Sequence, residues 1–340
     1  MKGNIPIVLV GPYPPNIGGV STHIFRLLPL LKKEGRIVSV ISTNKIERGH
    51  SKDVKYIHPI ILVFNLFFGQ SSLVHFHVDS TNHLILAAIL RLRHNIILTI
   101  HNNRYLTTMS KPTASNWLRF RLLSSFADII CVNTDTKKFL ENKLSNVHPE
   151  VIPAFLPPTE IDESSLESIK EWGAKFDKVL SGYAYRLSFY KGVDLYGIDL
   201  MIGLMDQLIR QKINVGLVLL INLEESDYLT TIKSRISNLN LEQYIKLEDI
   251  KGGIDAVALW RYSDIYLRPT NTDGNSISVL EALTVGTSVV ASDCVERPKG
   301  VTLFEDRSLD DFVGKVLGSL SDASVPKTYK LSNNKIIQIY

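Results

Sequence analysis

The stretch 268–292 reads RPTNTDGNSISVLEALTVGTSVVAS. An apolar run leads into Arg268, Pro269 withdraws a backbone donor where a strand would end, and Asp273-Gly274 makes a turn. Ser276 stands at a helix N-cap position, Gly286 stops the helix, and Ser288–Ala291 begins the next strand. Strand, turn, helix, turn and strand in this order form a βα unit of a parallel sheet. Asp273 and Glu281 lie eight residues apart across the helix start. Carboxylates so spaced can take successive hydroxyl-bearing parts of one extended ligand while the helix N-terminus faces its phosphates. A surface helix with two unrelated acids fits the same residues.

Working outward, short apolar runs alternate with segments of helical period along the whole chain, as in an α/β protein whose parallel sheets are covered on both faces. The first half gives strands at 5–10, 37–41, 73–77, 96–100, 129–132 and 151–152, with helices near 21–33, 82–92, 116–126 and 135–144. Three prolines and a cluster of acids break the rhythm over 153–175, where the interdomain connection is expected. A second series follows, with strands at 179–182, 215–221, 244–247, 264–267 and 288–291 and helices near 196–211, 226–238, 253–262, 276–285 and 308–320. Two Rossmann-like halves result, each with ligand sites expected at the carboxyl ends of its strands and with a cleft between them.

Composition narrows the class. A chain of 340 residues, 45% hydrophobic and 21% charged, is globular and long enough for about two domains. Two cysteines, Cys131 and Cys294, exclude a disulfide framework or a Cys-rich zinc module. The longest apolar run, 59–69, is too short to span a membrane, and the N-terminus reads straight into a strand without a signal-peptide plan, so a cytoplasmic location is expected. The net charge of +4 hides an asymmetry: residues 1–150 hold 18 Lys+Arg against 8 Asp+Glu, residues 151–340 hold 20 against 26. The basic first half points to an anionic partner, although scattered surface lysines give the same count.

Three further motifs sit at strand ends. After the first strand, GPYPPNIGGVSTH (11–23) places Gly18-Gly19 at a helix N-terminus, where bare backbone N–H groups can cradle a phosphate. It is neither GxGxxG nor GxxxxGK, and a plain βα turn reads the same way. His23 follows on the helix. Strand alternation puts His75, His77 and Asp79 on one face, so zinc ligation and local hydrogen bonding both remain open; His101, ending the next strand, is the best placed to reach a ligand. Finally, YAYRLSFYKG (183–192) brings Arg186 and Lys191 over a strand end, where two cations can bind a diphosphate.

In the order of these elements the chain resembles the retaining glycosyltransferases of family 4, of GT-B fold, over nearly its whole length. The family's Gly-Gly loop is similar to Gly18-Gly19, its HxH strand end to His75-Phe76-His77 and its cleft histidine to His101. Its Arg-x5-Lys resembles Arg186 and Lys191, and its acid-x7-acid resembles Asp273 and Glu281, with Asp273 standing where the family usually has Glu. Two departures are Ala154-Phe155, where Asn-Gly is common, and Asn222-Leu223-Glu224-Glu225, in place of a glycine-rich turn.

The resemblance implies an N-terminal acceptor domain over 1–155, a nucleotide-sugar donor domain over 156–325, and a segment 326–340 expected to cross back to the first. It implies transfer of a hexose-type sugar from a nucleotide-diphosphate sugar to a glycan or lipid-diphosphate-linked acceptor in surface polysaccharide biosynthesis, with retained anomeric configuration. His101, Arg186, Lys191 and Asp273 are the implied catalytic residues. Gly18, Gly19, Gly274, Asn275, Ser276, Ile277 and Glu281 are the implied donor-binding residues, and His23 lies on the acceptor side. No Asp-x-Asp occurs, which argues against a metal-bridged donor, so neither a metal nor a cofactor is expected. Basic and aromatic residues interleave over 104–126 (Arg104, Lys111, Trp117, Arg119, Phe120, Arg121), as in an amphipathic helix on an anionic membrane; peripheral contact with the inner face of the cell membrane is a further expectation. Packing of the same helix on its own sheet is the plainer reading of its apolar residues. No nucleic-acid-binding module appears. Alternatives are a nucleotide-sugar 2-epimerase of the same fold and a non-enzymatic two-domain ligand-binding protein.

Overall fold

The structure, a computed structural model, describes residues 5–14, 19–43, 52–56, 69–78, 80–101, 113–158, 160–273, 276–322 and 334–340. The chain divides into two compact units, Met1–Thr159 with Ser332–Tyr340, and Glu160–Leu331.

The first unit is built on a seven-stranded parallel sheet: β1 Ile7–Gly11, β2 Val38–Ser42, β3 Val54–Tyr56, β4 Leu73–Val78, β5 Asn95–Ile100, β6 Asp128–Cys131 and β7 Glu150–Val151, in the order β3-β2-β1-β4-β5-β6-β7. Among the described residues its helices before the second unit are α1 Gly19–Lys33, α2 Thr81–Leu90, α3 Ala114–Leu123 and α4 Thr134–Lys143. One core packs Ile7 and Leu9 of β1 against Ile24, Leu27 and Leu31 of α1, another packs Val74, Phe76 and Leu98 against Leu84 and Leu90 of α2. Fully buried side chains of this size stabilise by about 1.5–3 kcal/mol each, which makes the near-continuous apolar strands the main fold determinant. The strand order reverses between β1 and β4, and the carboxyl ends of these strands open a crevice there. Gly11 ends β1 at that point because a Cβ would meet Ile24 Cδ1 at 2.6 Å and His77 Cβ at 3.1 Å.

In the second unit a six-stranded parallel sheet comprises β8 Lys178–Ala184, β11 Val215–Ile221, β12 Ile245–Asp249, β13 Ile265–Arg268, β14 Ser288–Ser292 and β15 Val301–Phe304, in the order β12-β11-β8-β13-β14-β15. A two-stranded hairpin, β9 Phe189–Tyr190 with β10 Val193–Asp194, follows β8. The helices are α5 Glu167–Gly173, α6 Ile198–Arg210, α7 Asp227–Asn238, α8 Ala256–Tyr262, α9 Ile277–Thr284 and α10 Leu309–Ser321. Its strand order reverses between β8 and β13, so Ala184 and Arg268 mark the ligand end.

Two features depart from the sequence reading. The expected connection over 153–175 contains a 3-10 turn, Glu163–Leu166, running into α5, because Asp162 accepts from Ser164 N at 3.0 Å and Leu166 and Ile169 bury beside Trp260. The strands β3, β9, β10 and β15 are not among those expected, and β3, β9 and β10, of two or three residues, carry too few for a periodic pattern. Within the C-terminal segment expected to return to the first domain, α11 Asn334–Gln338 lies in the first unit, where Ile336 joins the β1–α1 core.

Candidate functional site

In the first unit four histidines gather at the carboxyl ends of β4 and β5. His75 and His77 occupy one face of β4 as the alternation requires, and their rings stack with centroids 4.3 Å apart. His75 is fully engaged: Nε2 meets Thr99 Oγ1 at 2.6 Å and Nδ1 bonds the hydroxyl of Tyr340, the last residue of the chain. Both nitrogens being occupied, the His75–His77–Asp79 zinc arrangement gives way, and Asp79 itself lies outside the described residues. His77 Nδ1 instead meets His101 Nε2 at 2.9 Å.

His23, on the second turn of α1, sits against this pair. Its Nδ1 donates to the carbonyl of Ala154 at 2.5 Å, and one turn on Arg26 donates to the carbonyl of Leu156 at 2.9 Å, so α1 is pinned to the chain leaving β7. Burial lowers His23 to about 4, the Ala154 bond opposing and the Arg26 cation reinforcing the shift. Burial and the proximity of His23 bring His75 to about 3, and His77 and His101 are also lowered by burial and neighbouring imidazoles. The cluster is therefore neutral at physiological pH and offers imidazole lone pairs and N–H groups, not charge.

The second unit gathers charge. Arg186 is exposed beyond the end of β8, and Lys191 is exposed at the tip of the β9–β10 hairpin, its backbone at φ +51° and its ammonium 5.4 Å from the Tyr190 ring centre. This hairpin is tied to the stretch after β13: Asn271 Nδ2 donates to the carbonyl of Tyr190 and Asn271 N to the carbonyl of Leu195, each at 3.2 Å. Asp194 accepts from Tyr196 N at 3.1 Å and Ile198 N at 2.5 Å, holding the start of α6. Gly197 there is at φ +68° with Pro269 so close that a Cβ would stand 2.2 Å from its carbonyl oxygen. Arg186, Arg268 and Asp273 all act electrostatically on the Tyr196 hydroxyl. The unit thus brings Arg186, Lys191 and Asp273 to one end of its sheet.

Asp273 is not a free carboxylate. Arg268 donates Nε to Oδ2 at 3.0 Å and Nη2 to Oδ1 at 3.2 Å, Arg297 donates Nη1 to Oδ2 at 2.9 Å, and Thr270 Oγ1 lies at 3.4 Å. Burial alone would raise its carboxyl, but the two guanidiniums outweigh it and hold it below the ordinary carboxylate range. Glu281, on the second turn of α9, is buried with Oε2 3.4 Å from the indole Nε1 of Trp260. Ser276 is the N-cap residue of α9, yet its hydroxyl does not cap and instead lies 3.3 Å from Ser278 Oγ. Ile277 opens the helix, and Gly19 opens α1 in an exposed position. Gly18, Gly274 and Asn275 fall outside the described residues.

Sequence reasoning assigned no role to Arg268, Arg297, Tyr196 or Tyr340. Arg268 had a readable signal, a cation ending an apolar strand that needs a carboxylate nearby; Arg297 and Tyr340 act over long sequence separations and left none.

No protein-family model matches the chain, and no curated protein matches it. Solved structures do. Sucrose-phosphate synthase from Thermosynechococcus elongatus superposes with a TM-score of 0.61 at 16% identity, covering 98% of this chain and 94% of its own. HepE from Anabaena, in complex with UDP and glucose, gives 0.59 at 15% identity, covering 95% and 92%. The UDP-forming trehalose-phosphate synthase from Burkholderia vietnamiensis gives 0.60 at 11%, covering 94% and 92%. The fold is GT-B. A GT-B chain carries two Rossmann-like units, and here the first presents neutral imidazoles at its switch point while the second presents cations and paired acids.

Proposed function

We propose that this protein is a retaining, metal-independent glycosyltransferase that moves a hexose-type sugar from a nucleotide-diphosphate sugar to a glycan or lipid-diphosphate-linked acceptor in surface polysaccharide biosynthesis. The observation that carries this reading is the tether between the Lys191 hairpin and the 269–273 stretch within the second unit. Two exposed cations and two acids meeting at the end of a Rossmann-like sheet suit a diphosphate joined to polyols. The UDP-bound HepE structures add support from similarity of fold.

In this reading Arg186 and Lys191 neutralise the departing diphosphate, electrostatic stabilisation of the kind that dominates such reactions. Glu281 takes the ribose, and Gly19, Ser276 and Ile277 lend backbone N–H groups. Asp273 acts on the sugar with Arg268 as its partner; in the first unit His101 is assigned a catalytic role as a neutral imidazole and His23 the acceptor side. The bond from the anomeric carbon to phosphate oxygen breaks as the bond to the acceptor oxygen forms on the same face. The acceptor proton passes to the leaving phosphate, so no protein nucleophile is required.

The basic first unit is assigned to an anionic acceptor or membrane surface. On α3, Trp117 is 67% exposed and Leu118 38% exposed, while Phe120, Leu122 and Leu123 pack inward. Beside it α2 exposes Ile85 and Ile89, with Leu92 following, and Arg119 ties the two helices through Thr81 Oγ1 at 2.6 Å. No helix among the described residues is long and apolar enough to cross a membrane. The deciding test is transfer from a panel of nucleotide sugars to lipid-diphosphate acceptors; release of a free epimer without acceptor would replace this reading by the 2-epimerase.

A further inference from the structure

We propose that the first unit also holds a transition-metal site formed by His23, His77 and His101, which takes a divalent ion of the zinc type and leaves a fourth position open. The three residues come from α1, β4 and the end of β5, and each offers a ring nitrogen within 4.8 Å of the other two. Their ring centroids form a nearly equilateral triangle: 5.2 Å between His23 and His77, and 5.1 Å from each of these to His101. With a metal–nitrogen bond of about 2.05 Å and a ring nitrogen about 1.15 Å from its centroid, a tetrahedral ion sets neighbouring imidazole centres about 5.2 Å apart. The ring centres already have that spacing, and the ring nitrogens, within 4.8 Å of one another, close to about 3.3 Å to share the ion.

The surroundings match the requirements of such a site. His23 donates Nδ1–H to the Ala154 carbonyl, the outer bond that fixes a ligand's tautomer, and its Nε2 is buried without a partner. His77 is steadied from behind by the stacked ring of His75, itself anchored by Thr99 and Tyr340. His77 and His101 share one proton across 2.9 Å. On metal binding, the ring holding that proton moves it to its other nitrogen, both imidazoles stay neutral, and the two lone pairs turn to the ion. Three neutral nitrogens favour zinc, copper, nickel or cobalt over magnesium or calcium. Because the set brings no negative charge, the open position draws an anionic fourth ligand.

The site stands on geometry independent of the transferase reading. If that reading holds, an ion here captures His101 and inhibits transfer.

The test uses the tag-free full-length chain, stripped with chelator and titrated with Co(II) and then Zn(II). One equivalent of Co(II) giving the intense visible absorption of four-coordinate cobalt, displaced by one equivalent of Zn(II), is expected. His23→Gln and His101→Gln should each weaken binding by at least ~100-fold, more than the loss of an outer-shell partner, whereas His148→Gln, at an exposed position, leaves it unchanged. Failure of the wild type to take up one equivalent, or unchanged uptake in both ligand variants, overturns the proposal. Should the variants misfold, X-ray absorption of the wild-type zinc form decides: fewer than three imidazoles around the ion refutes the site.

Discussion

Arg297 and Asp273, 24 residues apart, form an ion pair of 2.9 Å with their side chains 2% and 10% exposed. With Arg268 on the other side, the acid serves two guanidiniums, and the position that the resemblance assigns to sugar contact is also a structural keystone of the second unit. Asp273→Asn leaves two buried cations facing an amide. It should therefore destabilise the unit by about 3–5 kcal/mol as well as impair transfer. Chemical denaturation measures this, and an unchanged midpoint would show that the triad is not needed for the fold.

Lys191→Ala separates binding from folding. The side chain is exposed and its contact is a single aromatic face, so stability should shift by no more than about 0.5 kcal/mol. Transfer should nonetheless be lost, because the substitution removes a charge from the leaving diphosphate. Steady-state kinetics beside a thermal melt distinguish the two effects; near-normal kcat/KM sinks the role given to this lysine.

Acid should unfold the first unit early. His23 titrates near 4 in the folded chain and near its ordinary 6.5 when unfolded, so between these values the unfolded state binds more protons. Stability then rises with pH across that window and is lost as pH falls through it, and the lowered values of His75, His77 and His101 act in the same direction. Melting curves taken from pH 7.5 down to 4.5 should show Tm falling below 6.5. A flat profile contradicts the buried neutral cluster.

Transfer should proceed undiminished in excess EDTA, since the proposed chemistry neutralises the diphosphate with Arg186 and Lys191 alone. Loss of activity on chelation, restored by magnesium or manganese, would replace that mechanism with a metal-assisted one.

Membrane contact has its own readout. Vesicles rich in anionic lipid should sediment the protein at low salt, and high salt or the Trp117→Ala/Arg121→Ala pair should release it several-fold. Equal binding to neutral vesicles would remove the electrostatic part of the argument.

Much of this architecture was legible in the chain because its strands are apolar runs bounded by Gly and Pro, and parallel sheets buried on both faces demand such runs. The 268–292 stretch alone specified the end of β13 and, nearly to the residue, α9 and β14. What stayed hidden is non-local: Tyr340 reaching His75, Arg297 reaching Asp273, and His23 bonding Ala154, each a pairing that only the closed fold creates. The hairpin β9–β10 stayed hidden for a different reason, since two-residue strands have no period.

The most direct test of the nucleotide-sugar assignment is a thermal-shift titration of the wild type and Lys191→Ala with nucleotide-diphosphate sugars. A ligand that binds only the folded state raises stability with the logarithm of its concentration. At least one nucleotide sugar should raise Tm saturably in the wild type and much less in Lys191→Ala. No shift with any of them at millimolar concentration would contradict the account.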